Sequence, residues 1–181
     1  MFMDYQVAVI GAGIIGASIA ARLCRAGISV ALIDKDGSAA SGASALSGGL
    51  VRLYDPDPLL MELAAYSIGL MREGIFARTY ARALRRSGVL YRAGLDQQER
   101  ISRAIEEHAS AHYPMRLISS EELSNEHFPQ AASMERVNLY EPQACVGNVR
   151  LATALLADCV RRDGLLLEHC AVKAIECRSR H

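Results

Sequence analysis

Residues 6–35 predict an α/β fold on three observations: an apolar strand-like run that stops at a glycine-rich turn, helix-period residues beyond it, and a second apolar run ending in an acid. Val7, Val9 and Ile10 belong to a short β-branched run of the kind buried in parallel sheets. The run ends at Gly11-Ala12-Gly13-Ile14-Ile15-Gly16, a G-x-G-x-x-G between strand and helix. Ile15, Ile19 and Leu23 give the helix an apolar stripe, and Ala26-Gly27 ends it where a left-handed residue is favoured. Ile28 to Ile33 is the next strand, and Asp34 closes it.

Each part of this pattern has a task in binding a dinucleotide. Gly11 permits the tight turn, Gly13 leaves room for a pyrophosphate to approach the backbone, and Gly16 lets helix and strand pack closely. The free N–H groups at the helix start, those of Ile14 and Ile15 among them, and the positive end of its dipole face the phosphates. Asp34, about 20 residues past the glycines, is placed to accept hydrogen bonds from an adenosine ribose. The acid Asp34 favours an unphosphorylated ribose, the basic Lys35 beside it leaves that choice undecided, and both FAD and NAD satisfy the pattern. The segment is Rossmann-like.

Composition narrows the classes further. The 181 residues suffice for one well-cored domain, or for a domain with part of a second. With 51% hydrophobic and 22% charged residues the chain reads as globular rather than disordered. Twenty basic residues against twenty acidic ones leave no positive excess for nucleic acid or an anionic membrane. No apolar run is long enough to span a bilayer, and the N-terminus lacks the basic region of a signal peptide and carries Asp4. Cys24, Cys145, Cys159, Cys170 and Cys177 are odd in number and show no C-x-x-C spacing, so reduced thiols in a cytoplasmic protein are expected.

Gly37 to Gly49 has the composition of a flexible linker, but it leaves the second strand at the edge where a bound dinucleotide would lie. Ser41, Gly42, Ala43 and Ser44 offer backbone N–H groups and hydroxyls to a second phosphate, with no bulky side chain in the way. The opening motif, this S-G-A-S segment and Gly48-Gly49-Leu50-Val51-Arg52 together resemble the FAD-dependent oxidoreductases of the D-amino-acid oxidase superfamily, which includes glycine and sarcosine oxidases. The resemblance implies FAD as the cofactor, held in a Rossmann-like domain of the glutathione-reductase type. It also implies that Ser44 to Arg52 passes near the flavin ring, with Gly49 and Arg52 as site residues.

Asp57-Pro58 opens the next helix, Asp57 as N-cap and Pro58 at the first helical position. Leu60, Leu63, Ala64, Ser67, Met71 and Ile75 give it an apolar face for core packing that runs towards Arg86. Gly88 to Arg92 is a short strand, where the resembled family enters its mixed-sheet substrate domain, and Tyr91 is a minor substrate-side candidate. Asp96 and Glu99 form a capping signature for a helix to about His112. His108 and His112 share its stripe with Ile101 and Ile105 and lack a third ligand, which favours packing over a metal. Met115 to Ile118 is strand-like, Ser119 to Glu122 caps a short helix closed by Phe128-Pro129, and Arg136 to Tyr140 is a strand followed by a turn to Gly147. Gly147-Asn148 then precedes a helix with Leu151, Leu155, Cys159 and Val160 on one side, Arg161 and Arg162 in its last turn and Gly164 at its end. Two strand-like runs follow, Leu165 to Glu168 and Ala171 to Glu176. The resemblance makes this the segment that returns to add a strand beside the first one, and aligns Val172 with a valine that supports the adenine.

The expected organisation is 1–86 as an FAD-binding segment, 87–144 as part of a substrate domain, and 145–181 as the returning helix and strand. The resemblance covers nearly all of this chain but about the first half of a family member, which implies an N-terminal part of a longer oxidase or one half of an enzyme completed by a second polypeptide, and a partner chain or self-association is expected. It implies oxidation of the amine of an amino acid or N-alkyl amino acid by hydride transfer to flavin. An NAD-dependent dehydrogenase fragment and a non-catalytic nucleotide-binding subunit are the alternatives. No G-x-S-x-G elbow and no Walker A sequence is present, and no catalytic residue is assigned.

Overall fold

Aliphatic and β-branched residues form β1 (Val7–Ile10), which α1 (Ile14–Arg25) joins to β2 (Val30–Ile33). The two strands pair in parallel, from Val7 opposite Val30 to Ile10 opposite Ile33. This computed structural model describes residues 4–38, 41–125 and 135–177. Next in the chain come α2 (Gly42–Leu46), β3 (Leu50–Val51), α3 (Pro58–Leu70), α4 (Gly74–Ala83) and β4 (Leu84–Arg86). They are followed by β5 (Val89–Ala93), a 3-10 turn at Leu95–Gln97, α5 (Gln98–His108), β6 (Arg116–Leu117) and α6 (Ser120–Asn125). The chain continues through β7 (Val137–Glu141), β8 (Cys145–Gly147), α7 (Val149–Asp163) and β9 (Leu165–Leu167).

The chain divides into two units. The first holds the described residues of Met1–Gly49, Arg78–Ala83 and Gly147–His181, and the second holds those of Leu50–Ala77 and Leu84–Val146. Along the chain the first passage from one unit to the other falls at Gly49–Leu50.

In the first unit the parallel sheet runs β1-β2-β9, with Ala31 opposite Leu165 and Ile33 opposite Leu167. The returning strand thus lies beside the second strand, not the first. Its helices α1 and α7 pack on each other. Asn148 caps α7 by accepting the Leu151 N–H at 3.0 Å, as its position before the helix predicts. The buried face of α7 is Ala152, Leu156, Cys159 and Val160, turned slightly from the expected Leu151 and Leu155. On α1 the expected stripe is not the inward one: Ile15 and Ile19 are 75% and 48% exposed, whereas Ala17, Ala20 and Ala21 are buried. The glycine turn brings α1 so close to β1 that only small side chains fit between them. β1 is not fully buried either, since Ile10 is 55% exposed. Residues 171–177 form no strand.

The second unit contains the antiparallel sheet β5-β7-β6, in which Val89 opposes Glu141 and Arg116 opposes Tyr140, and the small sheet β3-β8-β4. Its core joins Leu53, Tyr54, Met61, Ile101, Tyr113 and Leu139. Asp57 caps α3 through the N–H groups of Leu59 and Leu60, with Pro58 in the first turn, as expected. The long helix expected to run towards Arg86 is broken at Met71–Glu73, and Leu60 and Leu63 are 52% and 53% exposed while Met61 is buried. α3 is apolar nearly all round, so spacing does not choose its inward side. α5 starts at Gln98 without a side-chain cap from Asp96 and stops at His108, so His112 lies beyond it. Among the described residues no group of His, Cys, Asp and Glu is arranged to hold a metal. Ser119 and Glu122 form a reciprocal capping box at α6, with bonds of 3.1 and 2.8 Å. Phe128 and Pro129 lie outside the described residues.

Candidate functional site

The first unit carries a pocket of about 410 Å³ at the C-terminal ends of its parallel strands. Its walls come from the glycine turn, the end of β2, the start of α2 and the segment after β9. Of the residues singled out by sequence, Gly11, Gly13, Asp34, Lys35, Ser41, Gly42, Ala43, Ser44 and Val172 line it. Gly16 does not, and its task is packing: a Cβ there would sit 1.9 Å from the Gly11 carbonyl oxygen. Gly11 turns the chain at φ +103, a conformation open to glycine. Ile14 and Ile15 do not line the pocket: the Ile14 N–H, expected free to face a phosphate, is donated to Ser44 Oγ at 2.9 Å, and the Ile15 side chain is exposed.

Asp34 fastens the glycine turn to the end of β2. Its carboxylate accepts the Ala12 N–H at 2.5 Å and the Asp36 N–H at 2.8 Å. Ser44 does the same for the small-residue segment, its Oγ accepting the Ile14 N–H at 2.9 Å. The far wall is held by Glu168, which sequence reasoning missed: it accepts both the N–H and the hydroxyl of Ser38, at 2.7 and 2.6 Å, and pairs with Arg161 at 3.0 Å. The Ser38 hydrogen bonds, followed by the Arg161 charge, hold its carboxyl below the usual glutamate range. Cys170 donates its N–H to the Asp34 carbonyl at 2.8 Å and lines the pocket. A readable signal existed for Glu168, since it ends β9 as Asp34 ends β2.

Gly49 and Arg52 are not among the residues that line the pocket. Gly49, at φ +68, makes a close backbone approach in which a Cβ would lie 2.1 Å from the Gly147 oxygen, and its own carbonyl accepts the Gly147 N–H at 2.8 Å. Arg52, in the second unit, donates to the Tyr54 carbonyl, pairs with Asp55 at 3.3 Å and stacks over Tyr91 at 5.9 Å from the ring centroid. Tyr91 in turn packs against Tyr54, their ring centroids 4.8 Å apart.

Beneath this stretch lies Glu141, 0% exposed, in what the sequence reads as a turn. Its carboxylate accepts the Leu53 N–H at 2.7 Å, the Tyr54 N–H at 3.3 Å and the Tyr113 hydroxyl at 2.9 Å. Burial, with the Glu141 charge beside it, pushes the Tyr113 hydroxyl well above the usual tyrosine range. Val137, Leu139 and Glu141 recur at spacing two, which would have placed the acid on the inward side of β7.

The pocket brings together a bare glycine turn, an acid at the end of β2 and a small-residue wall. A family model described as "FAD dependent oxidoreductase" matches residues 6–181. No curated protein sequence gives a significant match. Among solved structures, an L-amino acid deaminase from Proteus myxofaciens is similar at 27% identity and TM-score 0.77, over 98% of this chain and 41% of that one. An L-proline dehydrogenase from P. horikoshii shows 23% identity and TM-score 0.78, over 96% and 46%. A glycine oxidase from Bacillus cereus shows 22% identity and TM-score 0.70, over 97% and 50%. The chain therefore spans half or less of the length of these relatives.

Proposed function

This chain belongs to the family of FAD-dependent oxidoreductases, and from that premise we propose that its first unit binds the adenosine diphosphate half of FAD in a protein that oxidises the amine of an amino acid or N-alkyl amino acid. Family membership decides for FAD in the choice with NAD that Asp34 leaves open. The observation that carries the proposal is the pocket that gathers Gly11, Gly13, Asp34 and Ser44 around the start of α1. Asp34 would accept from the ribose hydroxyls, Gly13 and the S-G-A-S wall would hold the diphosphate, and Val172 would support the adenine. When bound, FAD supplies the acceptor for a hydride leaving the substrate Cα–H. The amine substrate class is supported by relatives named as an amino acid deaminase, a proline dehydrogenase and a glycine oxidase. No residue of this chain is assigned to the substrate carboxylate.

A second polypeptide, or another copy of this chain, completes the sheet. The support is the sheet itself: among the described residues β1 and β9 each pair with β2 alone, and Leu167 is exposed on β9. Among the described residues no helix is long and apolar enough to cross a membrane.

An absorption spectrum of the purified chain tests the proposal, with mass spectrometry of the small molecule released on denaturation. A flavin spectrum and released FAD are expected. A well-folded, colourless chain that takes up no added FAD overturns it.

A further inference from the structure

We propose that the outward side of α3 pairs with the same helix of a second copy of this chain, antiparallel, about a two-fold axis between Leu63 and Tyr66. The proposal stands apart from the FAD reading and from the open sheet of the first unit.

Helix α3 carries a single charge, Glu62. Its inward side is taken: Met61 is buried in the core of the second unit, and Ala65 and Ile68 pack against that core. The opposite side is equally apolar and is left open, with Leu59, Leu60, Leu63 and Tyr66 each more than half exposed. A helix that buries one face ordinarily shows charge on the other. Exposed leucines scattered singly need no partner, but large apolar side chains gathered on one helix side form a patch of the kind that marks an interaction surface.

The spacing and the charge say what covers it. Leu59, Leu63, Tyr66 and Leu70 follow one another at steps of four, three and four, the stagger of a helix-to-helix seam. That series reads the same in both directions. An antiparallel copy therefore sets Leu59 against Leu70 and Leu63 against Tyr66, and the two-fold axis repeats both layers. The flanks fit as well: on one side of the seam Glu62 of each copy runs along Gly69 of the other, and on the other side Leu60 runs along Ser67. Large meets small on both flanks, and the one charge of the helix does not meet its own kind. The Ser67 hydroxyl already donates to the Leu63 carbonyl at 2.7 Å, so it brings no unmet donor into the contact. A seam that is its own complement is matched by a second copy of this chain without any further sequence.

Sedimentation velocity of the purified full chain from ~1 to ~200 µM, a range that brackets small interfaces, tests the proposal. The seam is short, so self-association with a dissociation constant on the order of 10 µM is expected. Leu63→Lys and Tyr66→Glu change exposed positions, and each alone should fold by circular dichroism and weaken association at least ~10-fold. Mixed in equal amounts, the two variants should associate again, because the new lysine of one faces the new glutamate of the other while the second layer keeps its leucine and tyrosine. An unaltered chain that stays monomeric throughout overturns the proposal and leaves the seam to a different polypeptide. Variants that associate as the unaltered chain does overturn it in favour of another surface, such as the sheet edges of the first unit. A mixture that stays monomeric overturns the antiparallel pairing. FAD uptake, read separately by absorption, is independent of all three results.

Discussion

Each of the two units is organised internally by a different means. The first places its pocket with backbone and small residues: a glycine turn, alanines beneath α1, and hydroxyls and carboxylates that each accept from a main-chain N–H. The second is centred on one buried carboxylate, Glu141, that collects two N–H groups and a phenol from distant parts of the chain. A site made from backbone tolerates little added volume. A core organised by one charge tolerates little loss of acceptors. Substitutions in the two units should therefore fail for different reasons.

The largest effect is expected at Glu141. Removing the carboxylate in Glu141→Ala strands buried donors and should cost about 3 kcal/mol in urea unfolding. Hydrogen exchange should quicken first in β5, β6 and β7, and equal loss of protection in both units would break the comparison. Gly16→Ala tests the other side. Its methyl would collide with the Gly11 carbonyl, so a loss of about 2 kcal/mol from overpacking is expected together with loss of FAD uptake. Retention of both would show that the glycine turn has slack. A smaller effect, about 1 kcal/mol, is expected from Asp57→Ala, which removes the cap of α3 and leaves FAD uptake unchanged in titration.

The smallest effect is one of acidity. The Glu168 carboxyl has its pKa lowered by folding, so its contribution is present above the unfolded value near 4.5 and is lost as pH falls through the lower folded value. Melting curves below about pH 4.5 should fall less steeply for Glu168→Gln than for the unaltered chain. Parallel curves would remove Glu168 from the list of groups that hold the pocket wall.

The contrast also explains what could be read in the sequence. Gly11, Gly13, Gly16 and Asp34 were legible because local geometry demands those residue types at that spacing, and the caps at Asp57 and Asn148 for the same reason. The inward face of α1 was not, since spacing marks Ile15 and Ile19 as apolar but cannot show how closely the glycine turn draws the helix in. Glu141 was missed because an acid at the end of a strand is ordinarily solvated. Its partners, Leu53, Tyr54 and Tyr113, lie 28 to 88 residues away and give no local sign. Val172 reaches the pocket without forming the strand expected of its segment.

The interleaving of the units along the chain has a consequence for synthesis. β2 emerges early, but its neighbour β9 appears only after all of β3 to β8 has left the ribosome. The second unit draws its contacts from a shorter span, Leu50–Val146, and can close before the first. Until β9 docks, one edge of β2 is an unpaired parallel strand, open to pairing with other nascent chains. Pulse-labelled exchange during refolding should protect Val137–Glu141 before Leu165–Leu167, and the reverse order would mean that β9 does not set the pace.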